Sequence, residues 1–355
     1  MPIKDLLQRF SEARGVSGYE RAVGALVAQE LEGRADEVRT DTMGNLIALK
    51  RGDATSSARR SIMLAGHMDE IGLIVTQVEK GFLRFSTVGG FDLRVLLGQE
   101  VIVHGRKDLP GIIGTRPPHV LTEGDRGQTV PLEQLFVDVG LVEKELRESV
   151  RTGDIITLQG GFAELTNGMV AGKAMDNRAA VACLVDCMSR LTRLRHAWDV
   201  YFVATVQEEV GLKGALTSAF ALSPDIGIAV DVGHGNMPGV SEADTIKVGE
   251  GPAIAFGPNI HPKLYARLVE TSKANEIKYQ TEAVPGRSGT DAWAMQVTRE
   301  GLPTALLSLP LRYMHSTVET LLLKDLERTS RLLAVFIAEL DDAFVQELGL
   351  CNILA

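Results

Sequence analysis

Residues 199–222 read DVYFVATVQEEVGLKGALTSAFAL, and their order decides the fold class. An apolar run of strand length, 199–206, stops at the paired carboxylates Glu208 and Glu209, and a stretch rich in Gly and Ala with helical spacing follows. The unit is strand, loop, helix. Two carboxylates at the mouth of a buried strand are costly to desolvate unless a cation or a proton-transfer role compensates.

Outward from this unit the arrangement recurs three times. SIMLA (61–65) runs into Gly66-His67-Met68-Asp69-Glu70, IGIAV (226–230) into Asp231, and TALLSL (304–309) through Pro310 towards His315. In open α/β sheets, ligands bind beyond the carboxyl ends of the strands, so residues scattered in sequence can converge there. Asp176, in GKAMDNR (172–178), adds a fifth candidate just before the helix-like AAVACLVDCMSRL. Each residue alone has an ordinary explanation: helix cap, loop histidine, solvated acidic pair. Together, carboxylates and imidazoles without a suitable thiolate form the ligand set of hydrolytic zinc, cobalt or manganese sites.

The flanks of the chain carry the same alternation. The spacing predicts a helix opening at Pro2 and ended by Gly15, a second from Ser17 to about residue 31, and a strand over 44–49. Further on it predicts helices over 262–276, 290–301 and 323 to about 347, with a strand over 278–284. The expected fold is α/β, a central mixed sheet with helices on both faces.

Between the flanks the texture changes. From residue 72 to about 158, short β-branched runs (GLIVTQV, FLRFSTV, EVIVHG, GIIGT, LFVDVG, DIITL) are separated by Gly, Pro and charged turns, with one short helix near 143–150. That pattern describes a small barrel or sandwich. The catalytic α/β domain is therefore expected over 1–69 and 164–355, interrupted by an all-β, barrel-like insertion over 70–163. Every metal-ligand candidate lies on the flanks.

Composition narrows the function. The length of 355 residues suffices for one large or two moderate domains. No apolar run is long enough for a membrane span, and the charged MPIKDLLQRF does not read as a signal peptide. The expected location is cytoplasmic, with no membrane partner. A net charge of -9 without a basic, aromatic-laced tract argues against nucleic acid. Cys183 and Cys187 sit four apart on a helix face and read as packed thiols; with Cys351 they are too few for a disulfide framework.

Taken in order, AGHMDEIGLIV, GKAMDNRAA, TVQEEVGLKGA, AVDVGHG, SGTDA and RYMHSTVE resemble the tetrahedral aminopeptidases, dinuclear metallopeptidases also called deblocking or glutamyl aminopeptidases. GVSGYE and GTRPPH fit as well, so the likeness covers nearly the whole chain. The resemblance implies a zinc-exopeptidase-like fold and two divalent ions per subunit, zinc first, with cobalt or manganese as alternatives. It implies that His67 and Asp231 hold the first ion, Glu209 and His315 the second, and that Asp176 bridges both. By the same likeness Glu208 is the general base, Asp69 orients His67, and the Asp176–Asn177 peptide is cis. The insertion becomes a dimerisation domain, and the dimers build a homododecamer with enclosed sites.

The function so implied is a metal-dependent aminopeptidase acting on short peptides. A deacylase or amidase on small N-acyl substrates competes with it, as does, in a different class, an endoglucanase, which ordinarily needs two carboxylates and no metal. His119 of the insertion and His234 receive no role. His104, His196 and His261 read as surface or turn residues, and Asp291 as a helix cap or a pocket wall.

Overall fold

The computed structural model describes residues 1–53, 59–120 and 128–349; Cys351 lies outside the described residues. Two helices come first, α1 (Ile3–Glu12) and α2 (Arg21–Leu31). In α1 the apolar residues Ile3, Leu6, Leu7 and Phe10 fall on one face and are buried, which is why the segment docks as a helix. A hairpin of β1 (Glu37–Thr40) and β2 (Leu46–Lys50) follows. Its turn is fixed by the Asp41 carboxylate, which accepts the N–H groups of Met43, Gly44 and Asn45. Then β3 (Ser61–His67) enters the centre of the molecule.

The chain next leaves the sheet and builds a closed barrel. Its strands are β4 (Gly72–Glu79), β5 (Phe82–Val88), β6 (Glu100–His104), β7 (Asp108–Gly114), β8 (Phe136–Asp138) and β9 (Ile155–Leu158), with the short helix α3 (Glu143–Ser149) before the last. The order around the barrel is β4-β5-β8-β7-β6-β9. Along β7, buried Leu109, Gly111 and Ile113 alternate with exposed neighbours, the period-two pattern that lets one strand serve core and solvent together. Leu73, Val75, Leu83, Val101, Val103, Val137 and Ile156 fill the barrel.

The return begins with β10 (Ala163–Glu164), β11 (Met169–Gly172) and α4 (Met175–Leu191). Then come β12 (Asp199–Thr205), α5 (Lys213–Leu222), β13 (Ile226–His234), β14 (Ala253–Phe256) and α6 (Pro262–Ala274). The chain finishes through β15 (Gln280–Ala283), α7 (Asp291–Gln296), β16 (Thr304–Leu311), β17 (Glu319–Leu322), α8 (Leu323–Ala338) and α9 (Asp342–Leu348). The central sheet runs β1-β2-β12-β3-β13-β16-β14-β15 and is mixed: β12, β3, β13 and β16 are parallel, while β2 against β12 and β14 against β16 are antiparallel. Strands β10, β11 and β17 form a separate three-stranded sheet.

Alternation along β3 explains the layers. Ile62 and Leu64 pack into one apolar cluster with α1, α4 and α8, whereas Met63 and Ala65 face a second cluster with α5 and α7. Both faces are covered, as a sheet buried on both sides requires. Cys183 and Cys187 are buried on α4 within the first cluster.

Three expectations need correction. The final helix is broken after Ala338, because the Asp341 side chain caps a new helix by accepting the Phe344 N–H at 2.9 Å. The helix expected over 290–301 shrinks to the six residues of α7; beyond it Arg299 and Gly301 adopt positive φ, which ends the helical path. His196 is buried, not a surface residue, with its ring bonded to the Trp198 carbonyl at 2.8 Å.

Candidate active site and metal centre

The carboxyl edge of the parallel strands brings the candidates together. Strand β3 ends in His67, paired in register with Thr205 at the end of β12. Gln207, at φ 56°, turns the chain sharply, so Glu208 and Glu209 fold back over that edge. Asp231 lies inside β13, which runs on to His234 and is longer than the apolar run suggested. Its register partner on β16 is Ser308. His315 follows β16 in a turn, itself at φ 60°.

Asp176 comes from the opposite direction, at the start of α4, where the Asp176–Asn177 peptide is cis. The Asn177 amide donates to the Val230 carbonyl at 2.9 Å and accepts the Ala180 N–H at 3.3 Å, which pins the helix start to β13 beside Asp231.

At the centre, one Asp176 oxygen lies 3.1 Å from His67 Nε2 and the other 3.4 Å from His315 Nε2. His67 Nε2 also stands 3.8 Å from Asp231 and 3.9 Å from Glu208, and His315 Nε2 stands 3.4 Å from Glu209. His67, Asp176 and Glu209 each offer a ligand atom within 4.8 Å of the others, as do His67, Glu208 and Asp231. These residues line a cavity of about 270 Å³ that also reaches His234, Glu282, Thr290 and Met314.

The electrostatics tell what is missing from the protein's own charges. Burial, reinforced by the Asp231, Asp291 and Glu209 carboxylates, pushes Glu208 up to about 10 against the pull of His67. Burial and neighbouring acids likewise carry Asp231 well above the usual carboxylate range. Hydrogen bonds to Asp176 and Glu209 push His315 up to about 11, and although burial disfavours its charged form, the acids around His67 raise it well above the usual imidazole value. Four carboxylates crowd two imidazoles, and protons are drawn in where positive charge is lacking. Divalent cations satisfy this donor set directly, so the residues fit a metal centre.

A surrounding set of groups holds these side chains. Asp69 accepts the N–H groups of Glu208 and Glu209 at 3.0 and 3.2 Å and the Ser17 hydroxyl at 2.6 Å. Its carboxylate stands 3.5 Å from His67 Nδ1, whose nearer partner is the Asp69 main-chain oxygen at 3.2 Å. Glu70 pairs with Lys173 at 2.5 Å, both buried, and so ties the exit of β3 to the loop before Asp176.

Sequence reasoning gave no role to Glu319. Its two oxygens accept the His315 N–H at 2.7 Å and the Asp176 N–H at 3.0 Å, so one carboxylate positions both residues. It stands four residues after His315 in HSTVE, a spacing that was visible but carried no meaning without the fold. Also missed were Gly89 and Gly90 of the barrel. A Cβ on Gly89 would lie 3.3 Å from Glu209 Oε2, and one on Gly90 would lie 3.3 Å from His315 Nδ1, so side chains there would press on the site.

Asp291 is neither a cap nor a cavity wall. It is the first residue of α7, whose cap position is Thr290, and it is buried behind the site, bonded to the Thr205 hydroxyl at 2.5 Å. His119 is exposed on the barrel and does not join the cluster; His234 lines the cavity from the end of β13. His104 is bonded to Asp108 and Thr157 within the barrel, and His261 occupies the cap position of α6.

Known proteins resemble the chain along nearly its whole length. Residues 44–332 match the family described as M42 glutamyl aminopeptidase. A lysyl aminopeptidase of Pyrococcus furiosus is 37% identical over 342 residues, which cover 95% of this chain and 97% of that protein. Among solved structures, a TET aminopeptidase from a marine-sediment thaumarchaeote superposes with a TM-score of 0.92 at 34% identity, covering 98% of both chains. A TET peptidase of Pyrococcus horikoshii, which can assemble into a tetrahedron or a large octahedral shell, gives a TM-score of 0.84 at 33% identity over 95% of this chain and 100% of its own.

Proposed function

The chain belongs to the M42 glutamyl aminopeptidase family and is a metal-dependent peptidase, and on that footing we propose that it removes N-terminal residues from short peptides at a site for two divalent ions. The observation that carries the reading is the Asp176 carboxylate, one oxygen towards His67 and the other towards His315. His67, Asp231 and Asp176 would hold one ion, and Glu209, His315 and Asp176 the other. Zinc comes first for an imidazole and carboxylate set, with cobalt or manganese as alternatives. Such a pair of ions supplies Lewis acidity to the scissile carbonyl and acidifies water.

The protein's own part is positioning and proton transfer. Glu208 lines the cavity beside His67 and Asp231 and stands outside the two ligand sets proposed above. It acts as general base, accepting a proton from the attacking water and delivering it to the leaving amine. Asp69 orients His67 and anchors the backbone that carries Glu208 and Glu209.

We assign residues 70–163 to a dimerisation domain on the catalytic body of 1–69 and 164–355, with dimers closing into a homododecamer. Exposed Ile112 and Val142 on the barrel suit a subunit contact, and closed symmetric assembly is the usual outcome of such surfaces. No helix among the described residues is long and apolar enough to cross a membrane, and we place the protein in the cytoplasm.

The endoglucanase alternative does not accord with the family match, nor with carboxylates interleaved with imidazoles instead of flanking a sugar site. The deacylase alternative stays within the same chemistry. Metal-depleted and metal-restored protein should be assayed on aminoacyl-anilides and their N-acetylated counterparts. Metal-restored turnover of free-amine substrates alone is expected; preference for the acetylated set would give the site to a deacylase.

A further inference from the structure

The cavity contains one charged group that the reaction does not use. Glu282 lies on β15, three strands from β13, yet its side chain reaches back towards the site. Register explains how. Asp231 pairs with Ser308, Ser308 with Ala253, and Ala255 with Glu282, so all these side chains share one face of the sheet. Over β14 that face offers only the methyl groups of Ala253 and Ala255, leaving a low path along which Glu282 extends to accept the Ser308 hydroxyl at 2.5 Å.

Next along this face from Asp231 the packing is tight. Gly233, two residues along the same face, has no side chain; a Cβ there would lie 2.9 Å from Ile246 Cδ1 and 3.1 Å from Ser308 Cβ. The same Cβ would stand 3.6 Å from the second Glu282 oxygen, Oε1. No lysine or arginine lines this cavity. Apart from the metal-ligand candidates and Glu208, its lining holds a single carboxylate, and among the described residues only one of its oxygens accepts a hydrogen bond.

We infer that Glu282 is the specificity determinant for the substrate's N-terminal side chain and selects lysine or arginine. The inference rests on the aminopeptidase reading: with the free amine and scissile carbonyl at the His67, Asp176 and His315 cluster, the side chain must occupy the rest of the cavity. Met314 flanks the apolar stem, and Glu282 receives the cationic tip. A neutral side chain leaves the carboxylate desolvated and unpaired, and an acidic one meets like charge.

The test compares kcat/KM for lysyl-, arginyl-, leucyl- and glutamyl-anilides with the metal-loaded enzyme and its Glu282→Gln and Glu282→Lys variants. The unaltered enzyme is expected to prefer lysyl or arginyl over leucyl by at least about tenfold, for which differences of this size are ordinary in pocket discrimination. Glu282→Gln should bring that ratio close to one, and Glu282→Lys should shift preference towards glutamyl. An unaltered enzyme that favours leucyl or glutamyl overturns the inference, whether or not either variant folds. So does a Glu282→Gln variant that slows all four substrates in the same proportion, since the carboxylate would then be anchoring the common amine. Absence of metal-dependent turnover on every free-amine substrate would instead remove the aminopeptidase reading, and the inference with it.

Discussion

In the barrel, Thr157 is the one buried polar residue among those described between 72 and 158. Along the carboxyl edge of the central sheet, His67, Asp69, Glu70, Asp176, Glu208, Asp231, Asp291 and Glu319 are all buried. The barrel is filled by apolar side chains, while the sheet carries a charge load at its functional edge. That load is destabilising in the protein by itself and is tolerable only with hydrogen bonds and bound cations. Within one chain the buried charges are gathered at the sheet's edge and kept out of the barrel.

The largest test of this contrast is Glu208→Gln. It should retain metal and fold yet lower kcat by about 10² to 10⁴, the range for a positioned general base. Steady-state kinetics with metal analysis decides; near-native turnover at full metal content would take Glu208 out of the chemistry. Next, Leu73→Ala in the barrel should cost about 2 to 5 kcal/mol of stability, as for a buried leucine, without lowering metal affinity. Denaturant unfolding and metal titration of the same variant break the comparison if affinity falls as well.

Chelation sharpens the other half. Ions present at a hundredfold over their Kd contribute about 2.7 kcal/mol to the folded state, so calorimetric scans with and without chelator should differ by a shift of that order. The same shift should appear in the Leu73→Ala background, since the two regions are expected to add independently. The smallest effect on folding belongs to Ile112→Glu on the exposed barrel surface, within about 0.5 kcal/mol. Light scattering should nevertheless show a smaller particle than the unaltered protein if the barrel joins subunits. An unchanged mass would remove this face from the interface.

Much of this architecture was legible because it is written in local periodicity. The run from Ile62 to Ala65 sends alternate residues to two different cores, and residues 72–158 alternate strand by strand. The convergence of His67, Glu209, Asp231 and His315 followed from strand ends and that of Asp176 from the start of a helix, while the roles expected of them came from the family resemblance. What escaped was set by distance. Strand β14 has four residues between glycine-rich turns, too few to show a period, and β10, β11 and β17 exist only through pairings made after the chain has folded. Glu319 acts through backbone N–H groups, one of them 143 residues away, and no side-chain pattern announces that. Glu282 looks like a solvated strand residue until register places it on the Asp231 face.

The two passages between sheet and barrel deserve a mechanical description. The chain departs soon after His67 and comes back through β10 and β11 towards Asp176, and the Glu70–Lys173 pair clasps the departing and returning segments. At a third point, Gly89 and Gly90 rest against Glu209 and His315. The barrel is thus mounted beside the candidate ligands themselves. Its three supports all stand beside the same few side chains, so the seating of the barrel and the geometry of the site are linked.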